Sequence, residues 1–363
     1  MTERRPPAGS QLPWLRRLSR TSLTWMVSTV FEQAANLGAR LPMARPENHG
    51  VKVKRDIAYR DTQDTAHLLD IYQPIQSDGP LPVVMYIHGG GFRVLSKDTH
   101  WVMAIELARR GYVVCSINYR LAPKHPYPAA PEDCCAAWLW VLEHVAEHGG
   151  DPTRVAIAGE SAGANLATVV SVAASYPRHE PWARAVYERG QVPTACVPAC
   201  GILQVSDPRR FERMGLSSPL TQPIIDACFA NYVGGQGGLV VHGIRPPHDG
   251  ADSYGLADPL CVVEAGPPSR PLPPFYIPVG TADPLIDDTR RLAEAVRRHG
   301  GTAQEAIFAR MGHSFHAWLK RPQARRCWDE IHAFLAIHLR GDGEPPAQGE
   351  CPSTDVIDAP SPE

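Results

Sequence analysis

The fold is decided by residues 155–167, which read VAIAGESAGANLA. An apolar, β-prone run meets the motif Gly159-Glu160-Ser161-Ala162-Gly163, and small and apolar residues suited to a helix follow at once. A strand, a sharp turn and a helix in this order predict a nucleophile elbow. Its two glycines carry no Cβ to collide with the neighbouring strand and helix, so the serine can hold a strained backbone there. The N–H groups that open the helix would face any anion formed at Ser161. This geometry suits attack on a carbonyl.

The Gly-x-Ser-x-Gly motif alone is a weak signal, since a plain turn gives the same letters, and the rest of the chain has to decide. Strand-like apolar runs alternate with helical ones, and the first two strands form an antiparallel hairpin. This alternation predicts an α/β fold, a mostly parallel sheet with helices on both faces. The predicted strands are Val51–Tyr59, His67–Tyr72, Pro82–Ile87, Tyr112–Asn118, Arg154–Ala158, Thr194–Val205, Phe275–Val279 and Gln304–Phe308. The predicted helices, apart from those near the N-terminus, are Trp101–Arg110, Pro131–His148, Ser161–Ser175, Gln222–Tyr232, Asp287–His299 and Gln323–Leu339.

We expect one domain with decorations, because 363 residues suffice for a single large core. Apolar residues recur at helical spacing between residues 14 and 41, and prolines and glycines interrupt residues 207–271. The tail after Gly341 is acidic and proline-rich, and we expect it to be disordered. The predicted parts are N-terminal cap helices (1–48), the first part of the core (49–206), a cap insertion (207–271), the second part of the core (272–340) and the tail (341–363).

The composition of the chain indicates which classes of binding partner are not expected. Lys plus Arg number 36 and Asp plus Glu 38, a near-neutral balance that gives no reason to expect nucleic acid or an acidic membrane. No stretch reaches the ~18 apolar residues of a membrane span. The cationic helical pattern of residues 14–41 fits either a helix on a membrane surface or a lid folded over the core, and we favour the lid. We predict a cytoplasmic protein without stable membrane insertion.

The nine cysteines suggest no disulfide framework, and we expect most of them to be reduced and buried. Cys196 and Cys200 have a loosely metal-like spacing, but no second Cys or His pair completes a tetrahedral zinc site. We predict neither a metal nor a cofactor.

A serine nucleophile needs a base and a group that orients the base. In folds that carry such a nucleophile elbow, the triad residues occur along the chain in the order serine, acid, histidine. This order selects Asp283 and His313, each of which follows one of the last two predicted strands. Asp258 has similar neighbours but lies in the insertion with no strand before it, and His316 is expected one turn into a following helix. His88, His125 and His144 are interpreted as turn or surface residues.

The glycine loop His88-Gly89-Gly90-Gly91 follows the third predicted strand. Backbone N–H groups there can approach a substrate closely because no side chain blocks them. We therefore predict that Gly90, Gly91 and Ala162 donate to the oxyanion of a tetrahedral intermediate, and each such donor is worth ~3 kcal/mol of barrier.

The ordered motifs resemble the bacterial hormone-sensitive-lipase-like (family IV) esterases of the α/β-hydrolase fold. The resemblance covers roughly residues 50 to 340, and the ordered set is highly specific. The motifs that carry it are His88-Gly89-Gly90-Gly91-Phe92, Tyr119-Arg120-Leu121-Ala122-Pro123, Pro128-Ala129-Ala130, Asp133, Gly159-Glu160-Ser161-Ala162-Gly163, Asp283-Pro284-Leu285 and His313-Ser314-Phe315.

The resemblance implies hydrolysis of short- to medium-chain carboxylic esters, with Ser161 as nucleophile, His313 as base and Asp283 orienting it. It also implies an N-terminal cap. The sequence departs from the family in three ways: Glu160 replaces the usual aspartate, Lys124 stands where glutamate is common, and the segment between nucleophile and acid is long.

We interpret His88, Gly89 and Glu160 as supporting residues, with Glu160 positioning the loop by accepting hydrogen bonds. We expect a small-molecule ester as partner and allow for a homodimer. The alternatives are a non-catalytic binding protein, similar to the plant gibberellin receptors, and a lipase or amidase.

Overall fold

The computed structural model describes Gly38 and residues 44–218, 221–233 and 255–340. Apart from Gly38, the predicted N-terminal helices lie outside these ranges. The glycine-rich part of the insertion and the predicted disordered tail lie outside them too.

Eight strands form one sheet with the order β1-β2-β4-β3-β5-β6-β7-β8. The pairs β1–β2 and β2–β4 are antiparallel, and every later pair is parallel. The predicted α/β class and the opening hairpin are therefore confirmed. The strands are β1 Val51–Ala58, β2 Leu68–Pro74, β3 Leu81–Ile87, β4 Val113–Ile117, β5 Gly150–Glu160, β6 Cys196–Ala199, β7 Phe275–Gly280 and β8 Ala303–Phe308.

Helices cover both faces of the sheet. Residues of α1 and α9 pack in one apolar cluster, and residues of α2, α3, α7 and α8 pack in the other. Strand β3 and the second half of β5, residues 155–158, are buried on both sides, which explains their continuous apolar sequences. The helices are α1 Trp101–Ala108, α2 Ala129–His144, α3 Ala162–Ser175, α4 Pro181–Arg189, α5 Arg210–Arg213, α6 Gln222–Val233, α7 Pro259–Ala265, α8 Ile286–Arg298 and α9 Pro322–Arg340.

The predicted strand Thr194–Val205 is too long, because only Cys196–Ala199 pairs in the sheet. Cys200 turns the chain with a φ of 39°, a value that strands do not adopt. Beyond it the backbone bonds to side chains instead of to a strand. The N–H of Leu203 donates to Asp288 Oδ2 at 2.7 Å. An apolar sequence alone does not reveal this competing acceptor.

The predicted helix Pro131–His148 is also displaced. The α-helix runs from Ala129 to His144, and residues Val145–His148 form a tighter 3₁₀ turn that ends at Gly149 with a φ of 71°. The predicted helix in the insertion is confirmed as α6. Helices α4, α5 and α7 were not predicted.

Within the part of the chain that the structure describes, no helix is both long and apolar enough to cross a bilayer. All eight described cysteines are free thiols, six of them buried. The prediction that most cysteines are buried is thus confirmed among these eight, and their reduced state stays a prediction.

Candidate active site

The elbow lies between β5 and α3. Ser161 has φ 54° and ψ −115°, so this non-glycine residue holds the strained conformation that the motif predicts. A Cβ at Gly163 would collide with the carbonyl oxygen of Ile87 on β3, and one at Gly159 with the backbone of Gly163. The N–H of Ser161 donates to Ala199 O of β6 at 2.9 Å. Close strand packing therefore holds the serine at the head of α3.

Asp283 and His313 meet behind the last two strands. Asp283 Oδ2 lies 2.8 Å from His313 Nδ1, and Asp283 Oδ1 accepts the N–H of Leu285 at 2.9 Å. The two loops are also joined by their backbones, since Ala282 N donates to Met311 O at 2.9 Å. This is the arrangement in which a carboxylate fixes the tautomer and orientation of an imidazole.

The electrostatics favour a protonated His313. Its side chain is 40 % exposed, whereas that of Asp283 is fully buried. The surrounding protein partly desolvates the ring and opposes its charge, but the charge of Asp283, its hydrogen bond and the charge of Glu160 together raise the pKa of His313 to about 9. An imidazolium formed here is therefore stabilised, which suits a group that must accept a proton.

The serine and the acid–histidine pair lie at the same edge of the sheet, where β5, β7 and β8 end. Ala199 binds the N–H of Ser161, and the Sγ of the next residue, Cys200, lies within 4.8 Å of the pair. Among the described residues, Ser161 Oγ has no hydrogen-bond partner. A hydroxyl without a partner among these residues can rotate, and the hydrogen bond between a catalytic serine and its base often becomes well formed only when substrate binds.

The glycine loop lies beside the elbow, at the carboxyl end of β3. Gly90 has a φ of 113°, and a side chain there would collide with the carbonyl of Val94. The N–H groups of Gly90, Gly91 and Ala162 donate to no described residue. The predicted oxyanion hole requires amides that are not already bonded within the protein, and these three meet that condition among the described residues.

Two supporting residues are buried. The interpretation of His88 as a turn or surface residue is wrong with respect to exposure, because His88 is 1 % exposed. It follows a central strand, and its ring stacks on Tyr119 with centroids 4.2 Å apart. Burial lowers the pKa of His88 to about 3, so this imidazole is neutral. Glu160 is also buried, with Oε1 3.0 Å from His100 Nε2.

The competing candidates lie elsewhere. Asp258 is the N-cap residue of α7, and its Oδ1 accepts the N–H of Ser206 at 3.1 Å. His316 lies in a short 3₁₀ turn, Phe315–Ala317, and not in the expected helix. Its Nε2 faces Glu160 at 3.5 Å. Among the candidate acids and bases named in the sequence analysis, Asp283 and His313 are the pair that the structure places in contact.

Three atoms of the kind that bind metals converge here. Cys200 Sγ, an Asp283 carboxylate oxygen and a His313 ring nitrogen lie within 4.8 Å of one another. The carboxylate and the imidazole bind each other directly. Burial raises the pKa of the Cys200 thiol well above its usual value, which opposes the thiolate that a metal requires. The arrangement therefore fits an acid–base pair better than a resident metal.

Helix α6 of the insertion packs on the glycine loop. The ring of Tyr232 stacks on Phe92 with centroids 3.7 Å apart, and Tyr232 O accepts the N–H of Tyr127 at 2.7 Å. Cys228 Sγ lies so close to Gly91 that a Cβ added to Gly91 would clash with it. The insertion thus forms a wall beside the predicted oxyanion donors.

Sequence reasoning missed His100. This residue precedes α1 and reaches the elbow through Glu160. Its only signal was its position shortly after the glycine loop, and many surface histidines share such a position.

A mostly parallel sheet with a strained serine between β5 and α3, and a carboxylate–imidazole pair at the same edge, defines an α/β hydrolase. A family model described as the alpha/beta hydrolase fold matches residues 84–317, well over half of the chain. The chain belongs to this family, within the hormone-sensitive-lipase-like esterases that its motifs resemble.

Relatives of known name agree with this assignment. The chain is 34 % identical to carboxylesterase NlhH of Mycobacterium tuberculosis over 246 residues. The aligned region covers 68 % of this chain and 70 % of that protein. An esterase from Pyrobaculum calidifontis is 26 % identical, with a TM-score of 0.66 over 89 % of this chain and 97 % of that one. Esterase LipW of Mycobacterium marinum, at 24 % identity, shares the fold with a TM-score of 0.67 over 87 % and 90 % of the two chains.

Proposed function

We propose that this protein is a serine carboxylesterase that hydrolyses short- to medium-chain esters through an acyl-enzyme. Membership of the family and the name of the M. tuberculosis relative support ester hydrolysis as the reaction. Ser161 is the nucleophile, His313 the base and Asp283 its orienting carboxylate. Gly90, Gly91 and Ala162 provide the oxyanion hole.

The reaction proceeds in two halves. Ser161 Oγ attacks the ester carbonyl carbon while His313 Nε2 takes the hydroxyl proton, and the carbonyl oxygen becomes an oxyanion held by the free amides. The C–O bond to the alcohol then breaks, and His313 returns the proton to the leaving oxygen. Water attacks the acyl-enzyme by the same route, releasing the acid and restoring Ser161. Asp283 stabilises the imidazolium in each half and stays ionised.

One observation carries the residue roles, namely the 2.8 Å contact between His313 Nδ1 and Asp283 Oδ2 at the sheet edge that also carries a serine with a φ of 54°. A buried carboxylate that binds Nδ1 leaves Nε2 as the ring nitrogen that accepts the serine proton. A strained serine backbone is costly and is retained where it has a use.

Ser161→Ala tests the proposal. With p-nitrophenyl butyrate as substrate, kcat should fall to the level that binding and the oxyanion hole alone support. The variant should also lose labelling by a fluorophosphonate probe. Ser175→Ala is a matched control, since this buried serine lies at the other end of α3. Retained hydrolysis in Ser161→Ala would overturn the assignment of the nucleophile.

The alternatives are separated by cheap measurements. A non-catalytic binding protein on this scaffold would not react with the fluorophosphonate probe even as wild type. A lipase would prefer emulsified long-chain esters to soluble short ones, which a chain-length series decides. An amidase would cleave the matching anilide, a substrate whose poorer leaving group needs an efficient proton donor.

We also propose that residues 1–48 and 207–271 form a cap over this site, and that the protein works in the cytoplasm. The packing of α6 on the glycine loop supports a cap that includes the insertion. The free cysteines support a reducing compartment. A homodimer through β8 is supported by the position of this strand at the sheet edge and by Ile307, which is 41 % exposed. Light scattering on Ile307→Lys tests that contact.

A further inference from the structure

A buried carboxylate lies beneath the elbow. Glu160 immediately precedes Ser161 and is 6 % exposed. Its Oε1 lies 3.0 Å from His100 Nε2, and its Oε2 lies 3.5 Å from His316 Nε2. His100 follows the glycine loop, and His316 is three residues beyond His313. One carboxylate therefore contacts the elements that carry the nucleophile, the oxyanion donors and the base.

Glu160 also lies against the glycine loop itself. A Cβ on Gly89 would come within 2.7 Å of Glu160 Oε1, so the carboxylate touches this backbone directly. The ring of His88, the first residue of that loop, lies 5.5 Å from the ring of His100. Movement of Glu160 would therefore move the start of the predicted oxyanion hole.

The second oxygen of Glu160 is held less well. Within the described ranges, Glu160 Oε2 and His316 Nδ1 have no hydrogen-bond partner, although both are buried. Burial lowers the pKa of the His316 imidazole, so the 3.5 Å contact between its Nε2 and Glu160 Oε2 is a long polar contact and not a strong ion pair. Burying a carboxylate that is only half bonded is costly, and an apolar residue of similar size would avoid the cost. A group retained at such a cost calls for an explanation, and a role in the adjacent site is one.

The charge of Glu160 reaches the base. Burial opposes its ionisation, but the hydrogen bond and charge of His100 and the charges of His316 and His313 lower the pKa of Glu160 to about 2. Glu160 is therefore ionised near neutral pH, and its charge adds to that of Asp283 in raising the pKa of His313. The titratable groups around Glu160 and His313 are Tyr86, His88, His100, Tyr119, Cys200, Asp283 and His316.

We propose that Glu160, held by His100 and His316, is a positioning residue that joins the nucleophile, oxyanion and histidine loops and stabilises the imidazolium of His313 during catalysis. The proposal rests on the proposed function. It gives His316, a rejected candidate for the base, and His100 a shared role through a group that does not touch substrate.

Glu160→Gln removes the charge and keeps the shape. Two changes are expected, measured per active site after titration with a fluorophosphonate. The acidic limb of the kcat/KM profile for p-nitrophenyl butyrate moves to lower pH, because His313 loses one stabilising anion. At the optimum, kcat falls by on the order of 10²-fold through misplaced loops, with a much smaller change in KM. Glu160→Asp keeps the negative charge, so the acidic limb of its kcat/KM profile should stay at the wild-type pH.

Glu106→Gln is the matched control. Glu106 is also buried, on α1, and its Oε1 lies 3.4 Å from the buried His332 Nε2. Its replacement removes a similar carboxylate–imidazole pair outside the catalytic loops. We expect this variant to have a lower free energy of unfolding. Its kcat per titrated site and the pH of the acidic limb of its kcat/KM profile should stay at the wild-type values.

The outcomes are distinct. Glu160→Gln could yield fewer titratable sites while its kcat per site and the pH of its acidic limb stay at the wild-type values. This result would show a merely structural role for Glu160 and overturn the proposal. If that variant yields no titratable protein, His316→Gln carries the test, and an unchanged kcat per site would then overturn it. Failure of the proposed function is recognised separately, because wild-type enzyme would then not react with the probe or Ser161→Ala would stay active.

Discussion

Asp283→Asn gives the sharpest prediction about the base. In the wild type, Oδ1 accepts the N–H of Leu285 and Oδ2 faces His313 Nδ1. An asparagine must keep its carbonyl oxygen on the Leu285 side, so its NH₂ group then points at the imidazole. To avoid two facing donors, His313 Nδ1 must give up its proton, which moves to Nε2. The nitrogen that should take the serine proton is then already protonated.

The expected loss follows from this reversal of the tautomer. Where the same substitution reverses a triad histidine in a serine protease, kcat falls about 10⁴-fold, which corresponds to ~5.5 kcal/mol of transition-state stabilisation. The change in volume is negligible and the Leu285 contact survives, so folding should be little affected. We therefore expect a loss of about 10³- to 10⁴-fold in kcat, with binding of the ester nearly unchanged.

The chain provides its own control. Asp258 stands in Ala257-Asp258-Pro259-Leu260, the same letters as Ala282-Asp283-Pro284-Leu285, and it is buried to a similar degree. Its Oδ1 accepts the backbone N–H groups of Val205 and Ser206, and an asparagine oxygen can do the same. Asp258→Asn should therefore keep kcat within about threefold of the wild type, since surviving contacts leave only a small effect.

The assay is hydrolysis of p-nitrophenyl butyrate under saturating conditions, normalised to protein that is folded by circular dichroism. An Asp283→Asn enzyme that retains more than a tenth of the wild-type kcat would refute the reasoning. So would a loss of equal size in Asp258→Asn, because the two aspartates would then not differ in role.

Two further predictions concern the proposed base and the packing of helix α6. The acidic limb of kcat/KM should have its midpoint above 6.5, because the neutral base forms only as pH rises through the raised pKa of His313, which a pH–rate profile measures. A midpoint at or below 6.5 would contradict the stabilising role of Asp283. Tyr232→Ala should lower the free energy of unfolding by ~3–5 kcal/mol, because it removes a ring buried against Phe92. Tyr232→Phe, which keeps the ring and loses a hydroxyl without a described partner, should change it far less in urea unfolding.

The elbow could be predicted because its chemistry is local. A serine between Gly159 and Gly163, after an apolar run and before small helical residues, leaves few other structures. The close contact between Gly163 and the carbonyl of Ile87 shows why a side chain cannot stand there. Asp283 and His313 could be paired because each follows a predicted strand, and parallel strands end at one edge of the sheet.

What could not be predicted depends on contacts between distant residues. The chain leaves the sheet at Cys200 because Asp288, more than eighty residues later, accepts the backbone N–H of Leu203. His100 reaches Glu160 across sixty residues. A polar side chain in a sequence shows what it can bind, but only the fold shows which partner lies within reach. For this reason the sequence pattern suggests only a turn or surface position for His88, although the sheet and Tyr119 bury it.

The insertion adds a constraint that links specificity to rate. Helix α6 holds Cys228 against Gly91 and Tyr232 against Phe92, so this helix and the proposed oxyanion donors form one packed unit. Packed side chains transmit a shift because interiors leave few voids to absorb it. A substitution in α6 that enlarges the pocket should therefore also move the amides that hold the oxyanion. In this protein, acyl preference and kcat are expected to change together, and a change in preference alone would have to come from residues that do not contact the glycine loop.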